Sequence, residues 1–525
     1  MESTLKNFPI GIQDFESLRI DNYLYVDKTS LIYKLLSTGR YYFLSRPRRF
    51  GKSLLISTLK AYFLGKKKLF SGLAIEQLEK QWTVYPVLHL DLNTAKYDSK
   101  EVLDNILNEK LASWEKLYGA DKNEIGLEQR FEGVIRRAYE KTGQRVVILV
   151  DEYDKPMLQA IENIELQNEY RATLKGFYGA LKSMDGCIKF AMLTGVTKFG
   201  KVSVFSDLNN LKDISMDNRY YNICGIDNKE LQSTLYPYVE RLADAKELSI
   251  EATYDELKKR YDGYHFSETS DGMYNPFSVM NTLDSCDFRS YWFETGIPSY
   301  LVQLFKNHNY NLEQMTTDEF DADLLNSIDT LSTNPIPVIF QSGYLTIKGY
   351  NERFGTYKLG FPNEEVKDGF LRYLLPNYAS NVMEGKSNFH IMHFVHEVEN
   401  GEIDNFMNRL KSFFANTPYE LVRDLENHYQ NVLYILCNLC GLYTRAEYHT
   451  SQGRIDMTIE TVDYAYIFEF KFDKSADDAL QQIKANNYAQ PFCTSGKTIM
   501  LIGANFNHKL KNIDEYKIEK VVIPQ

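Results

Sequence analysis

Cysteine is scarce: six in 525 residues, at 187, 224, 286, 437, 440 and 493. A disulfide-stapled fold is thereby excluded, and only Cys437 and Cys440 form a CxxC pair, with no second half to complete a zinc site. That pair falls in YQNVLYILCNLCGLY, which reads as an apolar helix, so both thiols are expected to pack rather than react. Glycine and proline are modest, at 29 and 14, which excludes a collagen-like fibre; no repeat or low-complexity tract interrupts the chain. No run approaches the ~18 consecutive apolar residues of a spanning helix. The opening MESTLKNFPI lacks the basic and apolar regions of a signal peptide, so a reducing, cytoplasmic setting away from membranes is the expectation. Positive charge is also short overall. Sixty basic against 71 acidic residues leave a net charge of −11, which argues against a chain that coats nucleic acid with its whole surface.

What is present is ample core material. A hydrophobic fraction of 44% and ~150 residues per domain predict three or four domains. Locally the charge balance reverses: from Arg40 to Lys68 there are nine Lys or Arg and no Asp or Glu. Such a stretch can face a polyanion, and nucleotide phosphates are the smallest of these.

Residues 1–230 alternate short β-like runs with amphipathic helical ones, the order of an α/β domain with a mainly parallel sheet. YYFLS (41–45), VYPVLHLDL (84–92), VVILVDEYD (146–154) and CIKFAMLTG (187–195) read as strands, and SLLISTLKAYF (53–63) as a helix. Residues 231–335 look helical with polar breaks, among them YDGYHF, where His265 reads as a packed, hydrogen-bonded histidine. Over 336–384, IPVIFQSGYLTIKG and TYKLGFPNEEVKDGFLRYLL suggest two strands, a polar turn and a helix capped by Asn363. That pattern is winged-helix-like, and its paucity of basic residues favours internal packing or regulation over DNA reading. Residues 388–525 open with helices and continue in α-β-β-β-α-β order, compact enough for one domain.

SRPRRFGKS (45–53) lies between a strand and a helix. A phosphate loop needs curled backbone N–H groups, a lysine for the β- and γ-phosphates and a hydroxyl for Mg²⁺. Gly51, Lys52 and Ser53 supply the turn, the lysine and the hydroxyl, with the helix aiming its N-terminus at the anion. Arg46 occupies the place of the usual first glycine. At the end of VVILVDE, Asp151 would face Mg²⁺ and Glu152 the attacking water; alternatively the two acids merely cap a buried strand. Thr194 could sense the γ-phosphate or simply close its strand. Arg48 and Arg49 could hold phosphate or seat the N-terminal segment, and Asp154 and Lys155 could pair with each other or shape the site.

A second cluster lies in the last block. In RIDMTI, Ile455, Met457 and Ile459 alternate with Arg454, Asp456 and Thr458; in YAYIFEFKF, aromatics on one face alternate with Ile467, Glu469 and Lys471 on the other. Pairing these strands would gather Asp456, Glu469 and Lys471. Acids on neighbouring strands can hold Mg²⁺ beside a phosphodiester while a lysine assists the attacking water. The plain alternative is a surface ion pair between Glu469 and Lys471. Glu447 and Gln482 are supporting candidates, Tyr488 could pack nearby, and Glu426 is one of several helix-borne acids eligible to complete the shell.

FPIGIQDFESLR, YLYVDKTSLI, YYFLSRPRRFGKS and VVILVDEYDKP, followed by GLYTRAE, GRIDMTI, YIFEFKF and the ALQQI helix, together resemble a two-part bacterial and archaeal family. In it an AAA-ATPase-like domain precedes a PD-(D/E)XK nuclease superfamily domain. The resemblance implies an α/β multidomain chain: an N-terminal P-loop ATPase fold, the helical and winged-helix-like middle region, and a restriction-endonuclease-like α/β domain at the end. It implies ATP and Mg²⁺ at Lys52, Ser53, Asp151 and Glu152, and a metal-dependent centre at Asp456, Glu469 and Lys471. The expected activity is an ATPase coupled to Mg²⁺-dependent cleavage of nucleic acid, with DNA the favoured class. The rival is an ATP-driven switch whose last domain binds nucleic acid or a protein without cutting. A ring or dimer could supply an arginine finger in trans, but no arginine identifies itself as one.

Overall fold

The computed structural model describes residues 5–161, 163–198, 210–294, 310–326, 334–378, 387–415, 425–441, 445–451 and 454–521. The chain divides into two compact units, Met1–Gly296 with Asp318–Glu365 and Ile297–Thr317 with Val366–Gln525.

In the first unit, β1 (Tyr41–Ser45), β2 (Val87–Asp91), β3 (Val146–Asp151), β4 (Ile188–Gly195) and β5 (Lys212–Asp213) form a sheet in the order β2-β3-β4-β1-β5. Every pairing is parallel. Strands β1 and β3 are buried at every position, which is why they read as unbroken apolar runs rather than alternating ones. Helices Lys52–Phe63, Lys100–Tyr118, Leu127–Thr142 and Ile164–Ser183 connect the strands. Because the strands are parallel, Ser45, Asp151 and Gly195 all end at one edge of the sheet, where α/β folds bind ligands. The strand order sets β4 between β1 and β3, so Thr194 comes between the phosphate loop and Asp151.

The following helices Tyr236–Lys246, Ile250–Tyr261 and Pro276–Ser285 enclose their own core, in which Leu235, Leu242, Leu257 and Val279 meet Phe8 and Leu24 from the start of the chain. A three-stranded antiparallel sheet comes next: β6 (Glu319–Asp321), β7 (Thr346–Asn351) and β8 (Thr356–Gly360), in the order β6-β8-β7. Here one local expectation is corrected. IPVIFQ begins as a helix, Ile336–Gln341, with Pro337 in its first turn, and the strand is confined to Thr346–Asn351. Proline carries no N–H, and none is needed in a helix's first turn, so this largely buried run is free to start as a helix. Asn363 stands directly before helix Glu364–Tyr378, and its Nδ2 donates to the Asp262 carbonyl at 2.8 Å. Residues 379–384 of the region read as winged-helix-like lie outside the described residues.

The second unit carries β9 (Arg445–Ser451), β10 (Arg454–Glu460), β11 (Tyr464–Phe472), β12 (Thr498–Asn507) and β13 (Asn512–Lys520), ordered β13-β12-β11-β10-β9. Only β11 and β12 run parallel, and helix Ala476–Ala485 makes their crossover. With helix Leu425–Cys440 in front, this is the α-β-β-β-α-β order expected from the sequence, plus a final strand that went unread. The alternation in β11 divides two cores. Tyr466, Phe468 and Phe470 are buried on one face, where Phe468 meets Phe406 from helix Ile403–Ala415. Ala465 and Ile467 pack on the other against Leu480 and Ile483 of the crossover helix. Cys437 and Cys440 are buried in their helix without a disulfide; burial pushes the Cys440 thiol up to about 12. Among the described residues, no helix is long and apolar enough to cross a membrane.

Candidate nucleotide and nuclease sites

The phosphate loop turns on Gly51, whose φ of 92° is open to glycine at little cost. Helix Lys52–Phe63 starts at once, so its free N–H groups face the loop. Lys52 is buried, and its Nζ donates to the carbonyls of Arg46 and Pro47 at 2.9 and 3.0 Å. Ser53 is half-buried one residue on.

Arg46 is no mere gap in a glycine pattern. Its guanidinium is fully buried, donating to the carbonyls of Ser45 at 2.9 Å and Ser215 at 2.7 Å, with Tyr220 and Tyr221 carbonyls at 3.4 Å. It stacks 4.0 Å from the Phe266 ring centre, and burial lowers its pKa to about 10. The side chain thus ties the loop base to the segment after β5. Arg48 and Arg49 are placed differently: the Arg48 carbonyl accepts from Trp292 Nε1 at 3.3 Å, and the exposed Arg49 lies 4.9 Å over Phe277. These contacts tie the loop to the helical region.

At the end of β3, Asp151 is buried and accepts from Thr194 Oγ1 at 2.6 Å. The structure therefore brings Asp151 and Thr194 together. Glu152 adopts φ 52°, a conformation uncommon outside glycine. Burial raises the pKa of its carboxyl, against the opposing pull of Lys52. Asp154 is also buried and accepts from Val196 N at 3.2 Å, Thr197 N at 2.6 Å and Thr197 Oγ1 at 2.7 Å. Burial raises its pKa while the Thr197 hydrogen bonds oppose the rise. It clamps the turn after β4 to the turn after β3, a long-range partnership with no sequence signal. Lys155 reaches Asn93 Oδ1 at 3.0 Å and stands 3.9 Å from Glu152.

An apolar cleft opens beside the loop, lined by Tyr25, Val26, Gly51, Leu54, Ile226 and Met280 among others. Leu54, Leu55 and Thr58 of the loop helix contribute to its lining beside Gly51. His265 lies elsewhere, with Nδ1 2.8 Å from the Ser270 carbonyl.

In the second unit, Asp456 and Glu469 are direct partners across β10 and β11. Directly opposed residues share a face of an antiparallel pair. Glu447 is paired with Thr458, which puts positions 447, 456, 469 and 471 on one face by register. The side chains of Glu447 and Asp456 lie outside the described residues. Glu469 is fully buried and Lys471 nearly so. Lys471 Nζ donates to Glu469 Oε1 at 2.7 Å and to Gln482 Oε1 at 2.5 Å, and Gln482 Nε2 closes the triangle onto Glu469. A buried charge pair survives only when paired and hydrogen-bonded, and here the crossover helix supplies the amide. The surface ion pair weighed for Glu469 and Lys471 is thus a core one. Tyr488 packs at the edge of the same small core, and Glu426 accepts from Gln430 at 3.4 Å on its own helix.

No group of three or more His, Cys, Asp or Glu suited to a metal occurs among the described residues. The donors nevertheless suit a hard divalent cation, which takes oxygen ligands: a hydroxyl and a buried carboxylate in the first site, and the buried Glu469 carboxylate with Asp456 in register in the second.

Comparison with known proteins gives the same two parts. Residues 9–205 match the AAA-ATPase-like family, described as "Predicted AAA-ATPase", and residues 424–516 match a family of the PD-(D/E)XK nuclease superfamily. The chain is 36% identical over 534 residues to a protein of Azotobacter chroococcum mcd 1 described as "Uncharacterized protein in vnfD 5'region", covering 98% of this chain and 99% of that one. At that identity and coverage the chain belongs to the family of this Azotobacter protein, with an AAA-ATPase-like domain near its start and a PD-(D/E)XK nuclease superfamily domain near its end.

Proposed function

We propose that the chain is an ATP-hydrolysing enzyme whose last domain cleaves nucleic acid, DNA first, by Mg²⁺-dependent phosphodiester hydrolysis. The observation that carries the reading is the register of Asp456 against Glu469, with Lys471 hydrogen-bonded to Glu469 and Gln482. In the first site the base occupies the apolar cleft, and Lys52 exchanges the carbonyls of Arg46 and Pro47 for β- and γ-phosphate oxygens. Ser53 and Asp151 would hold the Mg²⁺, Thr194 orients Asp151, and Glu152 takes the proton of the attacking water. In the second site Asp456 and Glu469 would hold Mg²⁺, which supplies Lewis acidity and an activated water when bound. Lys471 stabilises charge on the phosphate, Gln482 fixes the lysine, and Glu447 supports the face from β9.

The working domain division is an ATPase domain over 1–230, a helical region over 231–335, a winged-helix-like module over 336–384 and the nuclease domain over 388–525. Burial of Ile336, Val338, Ile339 and Gln341 supports an internal role for that module, as do the hydrogen bonds from Lys198 N to Gln341 Oε1 at 2.5 Å and from Gln341 Nε2 to the Leu325 carbonyl at 2.6 Å. The test is cleavage of DNA and RNA panels with and without ATP and Mg²⁺ by wild type, Asp456→Ala and Lys52→Ala. Loss of cleavage in the first and of nucleotide response in the second is expected. Identical cleavage by all three overturns the reading, and ATP hydrolysis without cleavage on any panel moves it to a conformational switch.

A further inference from the structure

The turn joining β12 to β13 carries an exposed apolar tip between cations. Leu510 is 65% exposed, and Lys509 before it is exposed as well, with Lys511 after it half-buried. A lone exposed leucine needs no explanation, but this one is held in place. Asn507 Oδ1 accepts from Lys509 N at 2.9 Å and Leu510 N at 3.1 Å, and Asp473 Oδ1 accepts from His508 N at 2.9 Å. Lys511 takes a φ of 52° to close the turn. At its base, Asn512 Nδ2 donates to the Lys411 carbonyl at 3.1 Å and Asn507 Nδ2 to Asp514 at 2.9 Å.

Its location gives the turn meaning. Strand β12 runs parallel to β11, and Asn505 is the register partner of Lys471. The turn therefore projects from the sheet end that carries Glu469 and Lys471. At ~3.3 Å per strand residue, two residues of β12 and the turn bring Leu510 roughly 10 Å beyond Lys471. Successive phosphates of one strand advance about 3.4 Å, so that reach is about three nucleotides. Lys474, at the start of the crossover, is a further exposed cation at this end. The opposite end of the sheet offers a contrast: Val462, 89% exposed in the β10–β11 turn, has no flanking lysine, its neighbour Asp463 being acidic and Glu460 already paired with Lys497 at 3.0 Å.

We propose that residues 508–511 form a wedge for a base-paired nucleic acid. Lys509 and Lys511 hold the backbone, and Leu510 enters the stack about three nucleotides from the scissile phosphodiester, as apolar side chains do when they unstack a base step. This rests on the nuclease reading and adds to it a substrate preference, a duplex that opens beside the cut.

The cleaved bond is first mapped with wild type. Duplexes carrying 2-aminopurine one to six nucleotides from it are then bound to Glu469→Gln, which removes turnover. Fluorescence should rise about three nucleotides away on one side, persist in Glu469→Gln with Val462→Ala, and disappear in Glu469→Gln with Leu510→Ala. In the active background, Leu510→Ala should lower kcat/KM on a fully paired duplex by about a hundredfold, the scale of an unstacking cost, and a mismatch at the same position should restore it. Equal fluorescence at all positions, or a Leu510→Ala deficit that no mismatch relieves, overturns the wedge while cleavage by wild type keeps the nuclease reading. A wild type that neither binds nor cuts any duplex overturns both.

Discussion

Two buried lysines, Lys52 and Lys471, stand in the two proposed sites through opposite arrangements. Lys52 donates to two main-chain carbonyls, neutral acceptors that a phosphate outcompetes. Lys471 is bound to a fully buried carboxylate and to an amide that also bonds that carboxylate. In the proposed site the first lysine would exchange these neutral partners for phosphate oxygens. The second is part of the domain's internal charge balance, so function and stability share it.

The sharpest break of this comparison is Lys471→Ala. It removes one member of a buried pair and leaves Glu469 charged in the core, an error that costs about 3–5 kcal/mol. Cleavage should fall by a factor of ~10² or more through loss of the positioned charge. Lys52→Ala leaves two carbonyls without a donor, a loss of about 1–3 kcal/mol, and chiefly removes nucleotide binding. Denaturant titration of both variants with nucleotide-binding isotherms checks the pair; equal destabilisation would show that the two lysines are held alike.

Next in size is Arg46→Gly, which restores the glycine usual at that position. A reading based on loop pattern alone expects improvement. The buried guanidinium instead bonds carbonyls of Ser45 and Ser215, so its removal should cost about 3 kcal/mol or more, because charged hydrogen bonds and packing on Phe266 are lost together. Chemical denaturation measures the loss, and a stability at or above wild type sinks the strut assignment.

A smaller effect tests how the loop is braced from outside. Gly343 has φ 89°, and a Cβ there would stand 2.5 Å from the Pro47 side chain. Gly343→Ala should cost about 2 kcal/mol through backbone strain and overlap. The overlap presses on the same turn that Lys52 bonds, so ATP affinity should weaken several-fold while Gly349→Ala, with only an ordinary contact near its Cβ, leaves it unchanged. Calorimetric ATP titration decides it.

How much of this could be read from the chain depends on the range of the interaction. The phosphate loop was legible because strand, turn and helix are consecutive, and the β10–β11 faces because alternation fixes register wherever one side is buried. Ile336–Gln341 was misread because a run of five apolar residues, closed by Gln341, suits a buried helix as well as a strand. Arg46 read as a missing glycine, since its carbonyl partners at 215, 220 and 221 come some 170 residues later. The Gln482 contribution was visible only as a polar residue on the right helix, and its two hydrogen bonds depend on the crossover packing against β11.

The finest distinction between the two sites lies in Glu152. Burial favours its neutral form, so its folded-state pKa lies above the ordinary 4.5. A step that needs the carboxylate is complete above the folded value and fails as pH falls through it. The acid limb of ATP hydrolysis should therefore lie above 4.5, and Glu152→Gln should remove both the limb and most of the rate. Stability carries the opposite sign. Between the unfolded and folded values the native state binds more protons, so this group's contribution is full below the unfolded pKa and is lost as pH rises through the folded one. Glu152→Gln should accordingly gain on wild type in thermal unfolding as pH rises across that window, by about 1.4 kcal/mol for each pKa unit separating the two states. A gap between the two proteins that stays constant from pH 4 to 8 would mean that Glu152 is solvated, and with it would go the assignment of a desolvated base beside Lys52.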